Sequence, residues 1–90
     1  MTSMPHGAVR LTDRHGIGHN LRRIRRAAGI SPDGLAARLS MSRSGVCRRE
    51  AYGFLPAAAL IAHLDALGYD VVAVPRAVRA GKLTPDRRTA

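Results

Sequence analysis

Aromatic residues are scarce in this chain: its 90 residues include one Phe, two Tyr and no Trp. Any hydrophobic core must therefore consist of Leu, Ile, Val and Ala, which suits packed helices better than stacked β-sheets. The length predicts a single domain, and a chain this short buries only a modest core. Self-association is a common way to stabilise such a domain.

The chain has one cysteine, Cys47, and no apolar run long enough to cross a membrane. An intrachain disulfide is therefore impossible, which is compatible with a reducing cytoplasm. The first residues lack the apolar core of a secretion signal. We therefore expect a cytoplasmic protein that does not enter a membrane.

Acidic residues are few as well: six Asp and Glu stand against 15 Lys and Arg, a net charge of +9. This excess favours a polyanionic partner, with nucleic acid as the first candidate and an anionic membrane surface as the second. Between Ile17 and Glu50, eight arginines and two acidic residues leave a balance of +6. Most of the positive charge is therefore expected on the first three predicted helices.

The first regular pattern begins after residues 1–15, which have no period and are predicted to form a flexible basic arm. Apolar residues recur at i, i+4, i+7 and i+11, which predicts one buried face of an α-helix; they are Ile17, Leu21, Ile24 and Ala28. An arginine-rich face lies off this stripe and consists of Arg22, Arg23, Arg25 and Arg26. Gly29 is predicted to end the helix.

A second, short helix is predicted from strong start signals. Ser31 can cap it, Pro32 suits the first helical position, and Asp33 favours the positive end of the helix dipole. The helix is expected to end near Leu39.

A third helix follows after the tight connection Ser40-Met41. Ser42 can cap it, and it is predicted to run through residues 43–49, with Val46 facing inward and Glu50 near its end. Two short helices joined by so brief a turn predict a helix-turn-helix over residues 31–50.

Pro56 is predicted to open a fourth helix and Gly68 to end it. Its apolar residues Leu60, Ile61, Leu64 and Leu67 have helical spacing. The helix-turn-helix domain is therefore assigned to residues 16–68.

Residues 69–75 are predicted to form a strand, because β-branched residues lie between Gly68 and Pro75. A lone strand leaves its backbone groups unpaired, and antiparallel pairing with a second copy would satisfy them. The predicted homodimer interface consists of Tyr69, Val71, Val72 and Val74. The alternative is an extended tail. Residues 76–90 are predicted to be a basic, flexible tail.

The segment SPDGLAARLSMSRSGVCRRE, residues 31–50, resembles the helix-turn-helix of the Cro/Xre, lambda-repressor-like family. The likeness extends to Leu-Arg-Arg-Ile-Arg at 21–25 and Ala-Leu-Gly at 66–68, and it covers about residues 17–74. It implies a mainly α, compact bundle of four to five helices that dimerises on palindromic operators. Antitoxin-type relatives pair a strand that follows the last helix between subunits, which residues 69–74 resemble.

The resemblance implies DNA contacts that also suit the chemistry of the residues. Long donors on a helix in the major groove reach base edges; the residues predicted to face bases are Arg43, Ser44, Cys47 and Arg48. Basic side chains and the N–H groups of helix starts bind phosphate; the predicted backbone contacts are Arg22, Arg23, Arg26, Ser31, Asp33, Ser42, Gly45 and Arg49.

Four positions depart from the family pattern. Pro32 stands where the family commonly has a phosphate-contacting Gln, and Ser40 replaces the usual turn Gly. Arg49 occupies a position that is usually apolar and packed, so it is expected to reach outward or to contact phosphate. Gly53 comes three residues after Glu50, where the family often has Gly at two.

No catalytic residue, metal site or cofactor is predicted. The sequence lacks a nucleophile elbow, a phosphate-binding loop and paired carboxylates. His15 and His19 stand four residues apart, but Cys47 and His63 lie on other elements without the spacing of a zinc site. We interpret His15 and His19 as ordinary surface histidines.

These features predict a sequence-specific regulator that binds double-stranded DNA as a homodimer and represses a nearby promoter. One alternative is an antitoxin that also binds and silences a toxin protein. Another is a phage Cro or immunity switch protein. A basic membrane-surface peptide is the third. Membrane binding requires a wide apolar face, however, and the first helix has only a narrow apolar stripe, which a protein core would bury.

Overall fold

The computed structural model describes residues 7–76, and four α-helices account for most of them. They are α1 (Ile17–Ala27), α2 (Pro32–Leu39), α3 (Arg43–Tyr52) and α4 (Ala57–Ala66). The predicted mainly α fold is confirmed, with four helices and no strand in this range. α1 and α2 both pack against α3, and α4 packs against α2. The core consists of Leu21, Ile24, Leu35, Ala36, Val46, Leu64 and Leu67.

Two serines cap the helices of the predicted pair. The Oγ atom of Ser31 accepts a hydrogen bond from the N–H of Gly34 at 3.0 Å. The Oγ atom of Ser42 accepts one from the N–H of Gly45 at 3.1 Å. Each cap satisfies one of the N–H groups that a helix start leaves without a partner.

The connection and the end of α3 depend on left-handed residues. Ser40 ends α2 with φ 53° and ψ 46°, a conformation that glycine adopts at less cost. Gly53 ends α3 with φ 65°. α3 therefore continues to Tyr52, two residues beyond its predicted end near Glu50, because nothing before Gly53 interrupts it.

α1 and α3 approach closely at Gly18, which is buried. A methyl group at Gly18 would lie 2.9 Å from the backbone N of Gly53 and 3.0 Å from the carbonyl O of Arg49, and it would also collide with the carbonyl O of Glu50. These neighbours are backbone atoms, which cannot move aside as a flexible side chain can. Glycine at this position therefore sets the separation of the two helices.

Arg25 lies on the buried side of α1, so its assignment to the exposed arginine face is wrong. The residue is 6% exposed. Its Nη1 atom donates a hydrogen bond to the carbonyl O of Ile30 at 2.9 Å, and its Nε atom lies 2.6 Å from the Oε2 atom of Glu50. This carboxylate makes burial of the guanidinium tolerable, since a buried charge requires a partner.

The chain before α1 is tied to the domain through Asn20, which is fully buried. Its Nδ2 atom lies 2.9 Å from the carbonyl O of Leu11 and 2.8 Å from the Oδ1 atom of Asp13. This hydrogen bond also lowers the pKa of Asp13. Leu11 packs against the core. The last residues of the predicted arm at 1–15 are therefore held against α1, while residues 1–6 lie outside the described range.

The chain after α4 leaves the core at Tyr69, whose N–H donates to the carbonyl O of Leu64 at 2.9 Å. Residues 70–75 form neither a helix nor a backbone hydrogen bond to another described residue. A strand shared between two copies would acquire its hydrogen bonds only from the second copy, so the dimer strand stays a prediction. The predicted tail at 76–90 lies outside the described residues except for Arg76.

Candidate nucleic-acid interface

The four residues predicted to face bases lie on one exposed face of α3. Arg43 and Cys47 are one turn apart, as are Ser44 and Arg48, and all four are exposed. The opposite face carries Val46, which is fully buried in the core. The structure thus brings together the predicted base contacts on a helix whose other side is fixed by packing.

The starts of α2 and α3 lie close together on the surface. The Nε atom of Arg43 is 3.8 Å from the Oδ1 atom of Asp33, and the two side chains are 64% and 74% exposed. An exposed ion pair of this kind contributes little stability. The distance nevertheless indicates that the two helix starts are neighbours. Each helix start also carries the positive end of its helix dipole.

The caps define what Ser31 and Ser42 offer to a ligand. Each hydroxyl already accepts a backbone N–H, and the Oγ atoms of Ser42 and Ser44 lie 3.1 Å apart. The N–H groups of the first helical turn that no cap satisfies are suited to anion binding. Asp33 carries a negative charge beside them, so only its N–H, and not its carboxylate, suits a phosphate contact.

α1 presents a separate basic stripe. Arg22, Arg23 and Arg26 are exposed, and their spacing of one, three and four residues places them on one side of the helix with His19. The Nη1 atom of Arg23 lies 3.4 Å from the Oδ1 atom of Asn20. These three predicted backbone contacts are thus accessible, whereas Arg25 is not.

Arg49 occupies a different environment from the other predicted contacts. It is half-buried, and its Nη1 atom lies 3.2 Å from the Nδ1 atom of His63 on α4. His63 is fully buried, and its Nε2 atom has no hydrogen-bond partner among the described residues. Burial lowers the pKa of His63, and the positive charge of Arg49 lowers it further. The guanidinium of Arg49 is thus directed toward α4.

Sequence reasoning missed two residues that hold this surface in place, Arg25 and His63. Arg25 stands four residues after Leu21, so it borders the apolar stripe of α1, and Glu50 is the only acidic residue on α3. His63 stands three residues after Leu60 and therefore shares its face of α4. These spacings were the available signals for burial.

Residues 7–76 contain neither a cluster of metal ligands nor a helix suited to cross a membrane. The rings of His15 and His19 lie 4.9 Å apart, both exposed, and no group of three or more His, Cys, Asp or Glu residues in this range could hold a metal ion. None of the helices in this range combines the length and the apolar character that a bilayer crossing requires.

Comparisons with protein-family models, with curated proteins and with solved structures found no match to this chain.

Proposed function

We propose that this chain is a transcriptional regulator that binds double-stranded DNA sequence-specifically, with α2 and α3 as its helix-turn-helix. The observation that carries the proposal is the position of Arg43 and Arg48. Both are exposed on α3, whose start adjoins the start of α2. This combination supplies base-reading donors beside helix N-termini that bind phosphate.

In the proposed complex, the N-terminal part of α3 enters the major groove. Arg43 and Arg48 are long enough to donate two hydrogen bonds to the O6 and N7 atoms of guanine. Ser44 and Cys47 lie beside them on the same face. Because Ser44 is small, the helix can approach the base edges closely.

The remaining exposed arginines would position the domain on the duplex. Arg22, Arg23 and Arg26 of α1 would contact phosphates, as would N–H groups at the starts of α2 and α3. Asp33 would orient the guanidinium of Arg43, since the two groups are 3.8 Å apart. Arg49 would contribute mainly through the field of its charge, because it is directed toward His63.

We further propose a repressor of the Cro/Xre type that acts as a cytoplasmic homodimer without enzymatic activity. Pairing of the segments at 69–75 from two copies would relate two copies of α3 by a two-fold axis. Such a dimer reads a palindromic site and excludes other proteins from the promoter.

The test is selection of duplexes from a random pool by the full chain, followed by titration of the enriched duplex against a shuffled one. We expect a palindromic motif and an affinity that falls steeply with salt. For six or more phosphate contacts the loss is roughly 1,000-fold between about 50 and about 200 mM salt. No enrichment, or an affinity independent of salt, would contradict the proposal.

An antitoxin role is the second candidate, and one observation favours it. Phe54 is 90% exposed and Tyr52 is 78% exposed, close together in the chain at the end of α3. Exposed aromatic residues are enriched at protein–protein interfaces. Co-purification of the chain with the product of a neighbouring gene, lost in Phe54→Ser, would support a toxin partner.

A further inference from the structure

A groove of about 740 Å³ separates the segment before α1 from the segment after α4. Residues 7–12 form one wall and residues 68–74 form the other, while Ile24 and Leu64 contribute from the core. The groove therefore lies between the two ends of the described chain, and it includes the segment that carries the predicted dimer strand.

The walls of the groove expose apolar side chains. Val9 is 36% exposed, and Val71, Val72 and Val74 are 48%, 63% and 38% exposed. Residues 70–75 also leave their backbone groups without hydrogen bonds to other described residues. A valine-rich segment whose backbone is neither helical nor hydrogen-bonded can pair with an extended segment of another chain.

The groove carries one charged residue of each sign. Arg10 is its one basic residue and Asp70 its one acidic residue, and neither forms an ion pair with another described residue. Residues 51–75 contain no Lys or Arg. Two copies that each carry a net charge of +9 repel each other. A surface with balanced charge is therefore where they can approach at least cost.

We propose that this groove is filled by a second copy of the chain, with Arg10 of each protomer facing Asp70 of the partner subunit across a two-fold axis. The proposal rests on the homodimer of the proposed function and extends its interface to residues 7–12. Four strand residues alone are too few for a stable dimer, since standard interfaces use about 20–30 residues a side. The second wall supplies additional surface.

Charge reversal tests the pairing. Arg10→Glu would place two carboxylates together at each pair, and Asp70→Arg would place two cations together. Each variant should dimerise about tenfold or more weakly than the natural chain in sedimentation equilibrium. An equimolar mixture of the two variants should recover dimers. In the mixed dimer, each of the two pairs again joins a positive and a negative side chain.

Arg14→Glu is the matched control, since Arg14 is exposed in the same segment but does not line the groove. It should dimerise like the natural chain. Thermal unfolding of every variant verifies the fold. Dimerisation unchanged by Arg10→Glu and Asp70→Arg would overturn this interface and leave the homodimer intact. A natural chain that is monomeric at all concentrations would overturn both, while the DNA titration separately decides DNA binding.

Discussion

Arg25 of α1 and Glu50 of α3 form a buried ion pair with two parallel contacts. Nε lies 2.6 Å from Oε2, and Nη2 lies 3.1 Å from Oε1. Both side chains are 7% exposed. Hydrogen bonding to Glu50 raises the pKa of Arg25, so the guanidinium stays charged. The pair ties the basic helix α1 to the helix that carries the proposed base contacts.

Removal of either partner of this pair should be strongly destabilising. Glu50→Ala leaves the Arg25 guanidinium buried without a counter-charge, and such changes cost about 3–5 kcal/mol. Thermal and urea unfolding measure the loss, and Arg26→Ala on the exposed side of α1 is the control. The double variant Arg25→Met, Glu50→Leu should lose less than Glu50→Ala alone. A loss below about 1 kcal/mol for Glu50→Ala would contradict a buried pair.

Gly18→Ala should force α1 away from α3. The new methyl group would meet the backbone of Glu50 and Gly53, so we expect a loss of about 3 kcal/mol or more in the free energy of unfolding. Gly29→Ala is a useful comparison, because nothing lies within 4 Å of its added methyl group and only its left-handed φ of 71° is strained. If Gly18→Ala is no more harmful than Gly29→Ala, the close approach of the two helices is wrong.

Ser40→Gly should stabilise the domain. Ser40 is the one non-glycine residue with positive φ among residues 7–76, and a left-handed conformation costs an L-residue about 1 kcal/mol. Glycine removes that strain and offsets part of the gain with greater backbone entropy in the unfolded chain. We expect a net gain of about 0.5 kcal/mol by urea unfolding. Ala37→Gly, in the exposed part of α2, should instead lose about 1 kcal/mol.

Stability should fall in mild acid because of His63. Its pKa is lowered in the folded domain, first by burial and then by Arg49. The unfolded chain therefore binds the proton more readily, so this stability is present above about pH 6.5 and is lost as pH falls through the folded pKa. The lowered pKa of Asp13 acts in the same direction at more acidic pH, below its ordinary value of 3.8.

The measurement is the unfolding midpoint between about pH 7 and about pH 5. His63→Leu should flatten the slope over this window, whatever its stability at neutral pH. His19→Ala, which changes an exposed histidine, is the matched control. Equal slopes for the natural chain and His63→Leu would show that His63 does not titrate as described.

The helices were largely predictable because their signals are local. Ser31 and Ser42 mark two starts. Most periodic apolar residues of α1 and α4 lie in or against the core, but Ala28 and Ile61, which belong to the same predicted stripes, are exposed. The end of α3 was predicted too early, since the decisive residue is Gly53 in a left-handed conformation. Local pattern thus defined the elements better than it defined their ends.

Residues whose environment depends on a distant partner were not predictable in this way. Arg25 is buried because it pairs with Glu50, a residue 25 positions later in the chain. Arg49 is directed inward because it contacts His63 on α4. Charge alone places both arginines at the surface. The same limit applies to residues 69–75, whose hydrogen-bond partners would belong to a second copy.

The most direct test of the account measures DNA binding by Arg43→Ala and Arg48→Ala on the selected duplex. Each variant should lose about 1–3 kcal/mol of binding free energy on that duplex and much less on a shuffled duplex. Arg14→Ala, which removes an exposed arginine outside α2 and α3, should bind the selected duplex about as well as the natural chain. Folded Arg43→Ala and Arg48→Ala proteins that bind it with unchanged affinity would contradict the claim that α3 reads DNA.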